Sequence, residues 1–326
     1  MLPIRIISTG KALPAEKISS SELDLRLNKT SGFVKKKSGV DYRYFSSVND
    51  FQSDLAAAAL RDAINAAQIQ PSSIDLLLST SAVPDQALPS MACRIMQAAG
   101  LPAGISAFDI NASCLGFMAG LQLAATLLNS GTYRRIAIVS AEIPSRGLDW
   151  SDPESSLIFG DGAAAAIVEI GSETVGCQAY RMETYPEGKT YCEILAGGTR
   201  CNPTSGMKDS DFLFHMDGKK VFKLASKLME GFLDRLFEPL GYNYHEVDLV
   251  VPHQASYLSM QHMSRRLGLP QSAIIDIYHS HGNQVSASIP TALHEAMVTG
   301  RLTEGAKVLL VGTAAGLTLG GMVLTV

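Results

Sequence analysis

Cys114 has the setting of a nucleophile. It stands directly before LGFMAGLQLAATLLNSG, whose apolar residues recur with helical spacing. A thiol at a helix N-terminus meets unpaired backbone N–H groups and the positive end of the helix dipole, which favour the thiolate that attacks thioesters. A free cysteine taken alone is more often a small core residue. Four other cysteines lack such a setting and are interpreted as structural or incidental: Cys93, Cys177, Cys192 and Cys201.

Two further polar residues stand where apolar segments end or begin. His253 follows DLVVP, a short run typical of a buried strand, and the carboxyl ends of strands gather reacting groups in α/β folds. Asn283 lies in HGNQVSASIP, a loop that leads into the helix opened by Pro290. Either residue alone could simply stabilise a turn. Their meaning depends on the elements that position them.

Those elements form an internal repeat. Short apolar runs at 74–80 and 247–253 are each followed by a predicted helix, at Pro89–Ala99 and Leu258–Leu267. Both halves then continue with a small-residue segment and a helix that closes at a glycine. Two strands end each half: Arg135–Ser140 with FGDGAAAAIVEI, and Lys307–Val311 with GLTLGGMVLTV. Such duplication predicts a pseudo-twofold, layered α/β core.

The closing glycines suggest a relation between two candidate residues. Counting back 17 residues from Gly131 reaches Cys114, and the same count from Gly300 reaches Asn283. The spacing therefore predicts that Cys114 and Asn283 are equivalent positions at two helix starts, facing a shared centre.

Composition narrows the class of protein. A chain of 326 residues with 46% hydrophobic and 18% charged residues is long enough for two domains and is typical of a globular protein. A net charge of −4 without a basic run argues against nucleic acid as a partner. Five cysteines without a CxxC pair indicate neither a disulfide framework nor a zinc site, and they fit the cytoplasm.

Two segments bear on export and membrane insertion. The N-terminal MLPIRIISTGKALP lacks the features of a signal peptide. Val308 to Val326 carries no charge and is about long enough to cross a bilayer, but its glycine-rich centre predicts two buried strands joined by a turn. The sequence therefore predicts no membrane association.

Over essentially its full length the chain resembles β-ketoacyl-ACP synthase III, a condensing enzyme of the thiolase fold. The motifs that carry the resemblance are NASCLGF, VPHQA, HGNQVSASIP, FGDGAAA at 159–165 and GTAAGLTLGG. The resemblance implies an α/β protein with duplicated βαβαβαββ halves in five layers, α-β-α-β-α. It also implies two halves at 1–170 and 171–326, with the cysteine in the first and the histidine and asparagine in the second, and a homodimer.

The resemblance also implies a reaction. Cys114 would take an acyl group from acyl-CoA or an acyl carrier protein. His253 and Asn283 would bind the carbonyl of malonyl-ACP and stabilise the charge that develops on decarboxylation. The backbone N–H groups of Cys114 and Ala315 would form the oxyanion hole of acyl transfer. No metal or redox cofactor would be required.

Several positions depart from the common pattern of this family. Phe33 replaces a tryptophan that stacks on the CoA adenine, and Lys37 replaces an arginine. A second arginine is missing from DPESSLIF, and Leu88 replaces a phenylalanine of the acyl pocket. These differences favour a specialised relative, for instance in a secondary-metabolite or resorcinol-type pathway. A basic patch for the acidic carrier protein is predicted from Lys223, Arg265 and Arg266, with Lys219 and Lys220 nearby.

Three alternatives remain open at this point. An acyltransferase of the same fold would move the acyl group without condensation, although ester-forming relatives tend to carry an acid in place of Asn283. A non-catalytic partner subunit of a condensing heterodimer would usually have lost Cys114. A Cys–His hydrolase would pass the acyl group from Cys114 to water.

Overall fold

The computed structural model describes residues 1–326. The strands are β1 (Leu2–Pro3), β2 (Arg5–Ala12), β3 (Glu16–Ser19), β4 (Tyr42–Phe45), β5 (Leu76–Ser79), β6 (Ser106–Asp109), β7 (Arg135–Glu142), β8 (Gly162–Glu169), β9 (Gly176–Thr184), β10 (Cys192–Glu193), β11 (His215–Met216), β12 (Leu249–Pro252), β13 (Lys307–Ala314) and β14 (Thr318–Thr325). The α-helices are α1 (Ser20–Arg26), α2 (Phe33–Ser38), α3 (Gln52–Ala66), α4 (Met91–Ala99), α5 (Gly116–Asn129), α6 (Pro153–Ser156), α7 (Gly218–Phe237), α8 (Tyr257–Leu267), α9 (Tyr278–His281) and α10 (Ser288–Val298).

Two five-stranded sheets repeat one topology, as the internal repeat predicted. The first has the order β2-β8-β7-β5-β6 and the second has the order β1-β9-β14-β13-β12. In both, a parallel pair (β5 with β7, β12 with β13) adjoins an antiparallel hairpin-like pair (β7 with β8, β13 with β14). A parallel bridge between Val250 and Ile274 stands in the second sheet where β6 stands in the first.

Helices fill the space between the sheets and cover their outer faces. The apolar residues of α5 and α10 lie in one continuous core with strands of both sheets. Helices α3 and α4 cover the outer face of the first sheet, and α7 and α8 cover that of the second. The layers are therefore α-β-α-β-α, and the predicted fold class is confirmed.

Residues 308–326 lie in two paired strands and not in a helix. β13 and β14 form an antiparallel pair in which Val308 faces Leu324 and Gly312 faces Gly320, so the prediction of two strands is confirmed. No helix of the chain combines the length and the apolar character needed to cross a membrane. The division at 170/171 stays a prediction, and β1 pairs with β9, so the first residues join the second sheet.

The predicted equivalence of Cys114 and Asn283 is wrong by three positions. A 3₁₀ turn precedes each central helix, at Ser113–Leu115 before α5 and at Val285–Ala287 before α10. Ser113 and Val285 both adopt a positive φ, of 52° and 50°. Matching these turns makes Ser286 the counterpart of Cys114. The glycine count failed because α10 has 11 residues where α5 has 14, about one turn fewer.

Candidate active site

Cys114 lies in the 3₁₀ turn that leads into α5, as predicted for a helix start. The preceding Asn111 holds this turn, because its Oδ1 accepts from the Ser113 N–H at 2.9 Å and its Nδ2 donates to the Ala82 carbonyl at 2.9 Å. Gly116 lets the helix start approach β5. A Cβ at that position would lie 2.2 Å from the Thr80 carbonyl oxygen. The NASCLG motif thus seats the thiol at the carboxyl end of the first sheet.

The resting thiol is held in its neutral form, contrary to the prediction of a favoured thiolate. Burial raises the pKa of Cys114 to about 11, and the nearby Glu142 carboxyl acts in the same direction. Three groups oppose this rise: the Ser113 hydroxyl, whose Oγ donates to Sγ at 3.8 Å, and the backbone N–H groups of Cys114 and Ala315. These donors lower the pKa by less than burial raises it.

His253 follows the last residue of β12, and its backbone N–H donates to Val311 on β13 at 2.8 Å. The side chain is buried and packs on Gly312, where an added Cβ would lie 2.6 Å from the His253 Cβ. The same Cβ would lie 3.2 Å from Cδ2 of Leu115, the residue after the nucleophile candidate. Gly312 therefore lies between His253 and Leu115 of the Cys114 turn, where there is no room for a side chain.

Burial also fixes the charge of the imidazole. It lowers the pKa of His253 to about 4, so the ring is neutral near pH 7. No protein group hydrogen bonds to Nδ1. A neutral imidazole carries one N–H donor and one lone pair, which suits it to binding a carbonyl oxygen or accepting a proton.

Asn283 is buried, and its amide is oriented by three contacts. Oδ1 accepts from the Val285 N–H at 2.8 Å and from the Ser288 hydroxyl at 3.5 Å. Nδ2 donates one hydrogen bond, to the Ala255 carbonyl at 3.2 Å. An amide nitrogen has two N–H groups, so one remains for a ligand.

Ala255 connects the two candidate donors. Its carbonyl accepts from Asn283, and its N–H donates to the His253 carbonyl at 2.9 Å. Gln254 anchors the same loop from beneath, donating to the Pro252 and Ile275 carbonyls at 2.8 and 3.1 Å. The structure therefore brings together the three residues that sequence reasoning singled out as catalytic.

Glu142 and Ser286 form a second polar contact at this centre that sequence reasoning missed. Glu142 ends β7, is 2% exposed, and accepts from the Ala82 N–H and the Ser286 hydroxyl. Burial raises the pKa of Glu142 to about 7. A carboxylate at the end of the apolar strand RIAIVSAE was the available signal, since buried acids need partners.

The predicted substrate-binding residues lie outside this centre. Phe33 is half-buried on a small apolar cluster with Val34, and Lys29 Nζ lies 5.6 Å from its ring. Lys37 is exposed on the same helix, α2. The C-terminal end of α2 touches α8, because a Cβ on Gly39 would lie 2.6 Å from the Tyr257 Cβ. Leu88 is 82% exposed, so it does not pack into an acyl pocket within its own chain.

The residues of the predicted basic patch differ in exposure and in ion pairing. Lys223 on α7 and Arg265 on α8 are exposed, as are Lys219 and Lys220. Arg266 forms an ion pair with Glu230 of α7 and so helps to join the two helices. Lys220 pairs with Asp217.

Comparison with known proteins yields one consistent family. The model of the 3-oxoacyl-[acyl-carrier-protein (ACP)] synthase III C-terminal region matches residues 237–326, and the 3-oxoacyl-[acyl-carrier-protein (ACP)] synthase III model matches residues 108–186. A β-ketoacyl-[acyl-carrier-protein] synthase III of Neisseria meningitidis serogroup A is 33% identical over 322 residues, covering 98% of each chain.

Solved structures of similar synthases also match the chain over nearly its full length. A 3-oxoacyl-[acyl-carrier-protein] synthase III from Aquifex aeolicus is 28% identical, with a TM-score of 0.89 over 99% of this chain and 100% of that one. The priming β-ketosynthase from the R1128 polyketide biosynthetic pathway is 25% identical, with a TM-score of 0.88 over 99% of this chain and 96% of that one.

Proposed function

Because the chain belongs to the β-ketoacyl-[acyl-carrier-protein] synthase III family, we propose that Cys114, His253 and Asn283 carry out a decarboxylative condensation of an acyl group with malonyl-ACP. The family makes the chain a condensing acyltransferase. One observation carries the assignment of roles: His253 and Asn283 are joined through Ala255, and His253 lies against Gly312, which also borders Leu115 of the Cys114 turn.

The first half-reaction loads Cys114. The sulfur attacks the carbonyl carbon of an acyl thioester, and the carrier thiol leaves with the proton given up by Cys114. The neutral His253 ring has the lone pair to hold that proton in transit. The N–H groups of Cys114 and Ala315, which already face the sulfur, stabilise the oxyanion of the tetrahedral intermediate.

The second half-reaction forms the carbon–carbon bond. The malonyl thioester carbonyl accepts from the N–H of His253 and from the free N–H of Asn283. The bond to the carboxylate then breaks, CO₂ leaves, and the electron pair passes into an enolate held by these donors. The enolate carbon attacks the acyl carbonyl on Cys114, and the C–S bond breaks to release a β-ketoacyl product and the Cys114 thiolate. The thiolate then takes a proton from water, which restores the thiol.

The carriers are the second part of the proposal. Exposed Lys223 and Arg265 supply positive charge for the acidic carrier protein, with Lys37 on the neighbouring α2. Phe33, Lys37 and Leu88 in place of the common residues support a specialised primer rather than acetyl-CoA. The reaction uses thioester carriers and requires no metal or redox cofactor, and we place it in the cytoplasm, where the thiol stays reduced.

A homodimer is the third part. The outer edge of β6 pairs with no strand of the same chain, and Phe108 on this strand is 38% exposed. Unpaired edges favour pairing with another chain, and a twofold axis would join two copies edge to edge. Sedimentation equilibrium should give twice the monomer mass of 34.8 kDa. A monomer at micromolar concentration would contradict the dimer.

One experiment tests the proposed function. The enzyme is exposed to a panel of acetyl, medium-chain and aryl acyl thioesters on CoA and on ACP, and intact mass locates the acyl group on Cys114. Malonyl-ACP is then added, and CO₂ and the β-ketoacyl product are measured. We expect loading followed by stoichiometric CO₂ release, with acetyl-CoA slower than the longer primers.

Each other result favours an alternative. Loading without CO₂ release would indicate an acyltransferase without condensation, and loading followed by free acid would indicate a hydrolase. No loading by any donor would favour a partner subunit. Fastest loading from acetyl-CoA would overturn the specialised primer while leaving the condensation intact.

A further inference from the structure

Arg43 is an unusual buried charge. It lies on β4 with none of its surface exposed, and no carboxylate is within ion-pair distance. Burial lowers its pKa to about 10, so the guanidinium stays charged at neutral pH. Burying an arginine without an acid is costly unless its N–H groups find other acceptors. The burial of Arg43 therefore indicates that its hydrogen bonds to other acceptors have a structural role.

Two of the Arg43 acceptors are carbonyls of one short backbone segment. Nη1 donates to the Leu157 carbonyl and, at 3.3 Å, to the Phe159 carbonyl. Nη2 donates to the Ser20 hydroxyl at 3.4 Å. Residues 157–160 are separated from β8 by Asp161 alone, and Phe159 and Gly160 open the FGDG motif.

The other side of this segment holds Asn283. The Asn283 N–H donates to the Ile158 carbonyl at 2.8 Å, and the Asn283 carbonyl accepts from the Gly160 N–H at 3.1 Å. Phe159 and Asn283 thus form a parallel β-bridge. The Leu157 and Phe159 carbonyls face Arg43, whereas the Ile158 carbonyl and the Gly160 N–H face Asn283.

The backbone on both sides of residues 157–160 is closely packed. A Cβ on Gly160 would lie 2.1 Å from the His281 carbonyl oxygen and 3.2 Å from the Arg43 Cβ. A Cβ on Gly282 would lie 2.8 Å from the Ile158 carbonyl oxygen. A shift of the segment at Arg43 is therefore passed on to the backbone of Asn283.

We propose that Arg43 is a positioning residue for Asn283, holding residues 157–160 in the register that aims the Asn283 amide at the malonyl thioester. The inference rests on the proposed function, because it assigns Arg43 to the half-reaction in which Asn283 acts. It does not involve the loading of Cys114, whose turn is held by Asn111 and Gly116. A planar guanidinium reaches two carbonyls and a hydroxyl at once, which the single ammonium of lysine does not.

The test separates the two half-reactions in Arg43→Lys and Arg43→Met. We expect Cys114 loading within about twofold of the unaltered enzyme and CO₂ release from malonyl-ACP about 10- to 100-fold slower, the scale of a misplaced catalytic group. Arg135→Lys is the matched control, because Arg135 is partly buried and pairs with Glu169 at the far end of β7. This control should show no difference between the half-reactions.

A double-mutant cycle distinguishes positioning from general support. If Arg43 acts through Asn283, adding Arg43→Lys to Asn283→Ala should change CO₂ release by less than about twofold. Multiplicative losses, or equal slowing of loading and decarboxylation in Arg43→Lys, would overturn the inference. Failure of the unaltered enzyme to load or condense would instead refute the proposed function.

Folding is measured on every variant by thermal denaturation. If both Arg43 variants fail to fold, Ser20→Ala decides the question, since it leaves Arg43 in place and removes the 3.4 Å anchor of Nη2 together with the bond from the Ser20 hydroxyl to the Val40 carbonyl. It should slow CO₂ release by about two- to fivefold without slowing loading, as expected for loss of the weak hydrogen bond to Arg43. Equal effects on both steps would overturn the inference.

Discussion

Asn283 Nδ2 donates to the Ala255 carbonyl at 3.2 Å, and Ala255 is itself bonded to the His253 carbonyl. The two donors that the proposed mechanism needs are therefore held at a fixed separation by a single intervening residue. Preorganised donors contribute most when they do not have to move during the reaction. This relationship makes the contribution of Asn283 separable from that of Cys114.

Asn283→Ala should remove one donor to the developing enolate. We expect CO₂ release from malonyl-ACP to fall by about 10²- to 10³-fold, the usual cost of losing one oxyanion donor, while Cys114 loading stays within about threefold. Asn283→Asp should be at least as slow, because a carboxylate faces both the Ala255 carbonyl and the malonyl oxygen without a proton to donate. A parallel loss of loading and CO₂ release would show that Asn283 supports the fold and not the second step.

Gly312→Ala should displace His253. The new methyl would lie 2.6 Å from the His253 Cβ and 3.2 Å from Leu115 Cδ2, so the loop must shift. We expect a loss of about 1–3 kcal/mol in the free energy of unfolding and a larger loss of condensation than of stability. Gly198→Ala is the control, since nothing lies within 4 Å of its Cβ. Full activity in Gly312→Ala would contradict the tight contact.

The sequence predicted the layers and the helix start well because both depend on local patterns. Apolar runs such as 74–80 and glycine stops such as Gly131 are readable residue by residue, and they located β5, α5 and the Cys114 turn. The charge on the thiol was mispredicted because burial depends on contacts between both sheets. Helix-start donors were visible in the sequence, whereas the desolvation that outweighs them was not.

Long-range polar contacts could not be predicted from the sequence patterns either. Arg43 meets the Leu157 carbonyl 114 residues away, and Ser286 meets Glu142 144 residues away. The misalignment of Cys114 with Asn283 has a simpler cause. The repeat is exact at the start of each central helix but not at its end, so counting from the end carried the length difference into the prediction.

Alkylation of Cys114 by iodoacetamide should rise with pH well beyond the range of an ordinary thiol. Because burial raises its pKa to about 11, the thiolate fraction still increases tenfold per pH unit at pH 8–9. Ser113→Ala removes a donor to the sulfur and should slow alkylation at pH 8 by about 3- to 10-fold. Ser130→Ala, at the other end of α5, is the control. Rates are read by mass spectrometry of the Cys114 peptide, and a plateau below pH 9 would contradict the raised pKa.

Arg265→Glu should weaken carrier-protein binding without touching the chemistry. We expect KM for malonyl-ACP to rise about 5- to 10-fold and to lose part of its dependence on ionic strength, because a rim charge acts mainly on association. Loading from a small thioester without a carrier should be unchanged. Arg134→Glu controls for the charge reversal, since Arg134 is 93% exposed beside the first residue of β7, whereas Glu142 ends that strand at the site. An equal rise in KM for both variants would contradict a local docking patch.

Glu142→Gln should change how stability depends on pH. The folded-state pKa of Glu142 is raised to about 7 from an ordinary 4.5, so between these values the folded protein keeps a proton that the unfolded chain has lost. Folding therefore becomes less favourable as pH rises through this window, by about 3 kcal/mol in all. Glutamine can still accept from Ala82 and Ser286 but does not titrate. The unfolding free energy of the variant relative to the unaltered enzyme should therefore rise by about that amount from pH 4.5 to 7.5.

Comparing Glu142→Gln with the unaltered enzyme removes the effect of two buried histidines, whose contribution to the pH dependence of stability has the opposite sign. The pKa of His253 and that of His281 are each lowered to about 4 by burial, so the unfolded chain binds their protons first and both histidines destabilise the fold as pH falls below 6.5. Both are present in the variant and in the unaltered enzyme, so urea denaturation of the pair isolates Glu142. Glu304→Gln, which removes an exposed carboxyl, is the control. A difference that stays constant across this pH range would mean that Glu142 ionises as readily in the folded protein as in the unfolded chain.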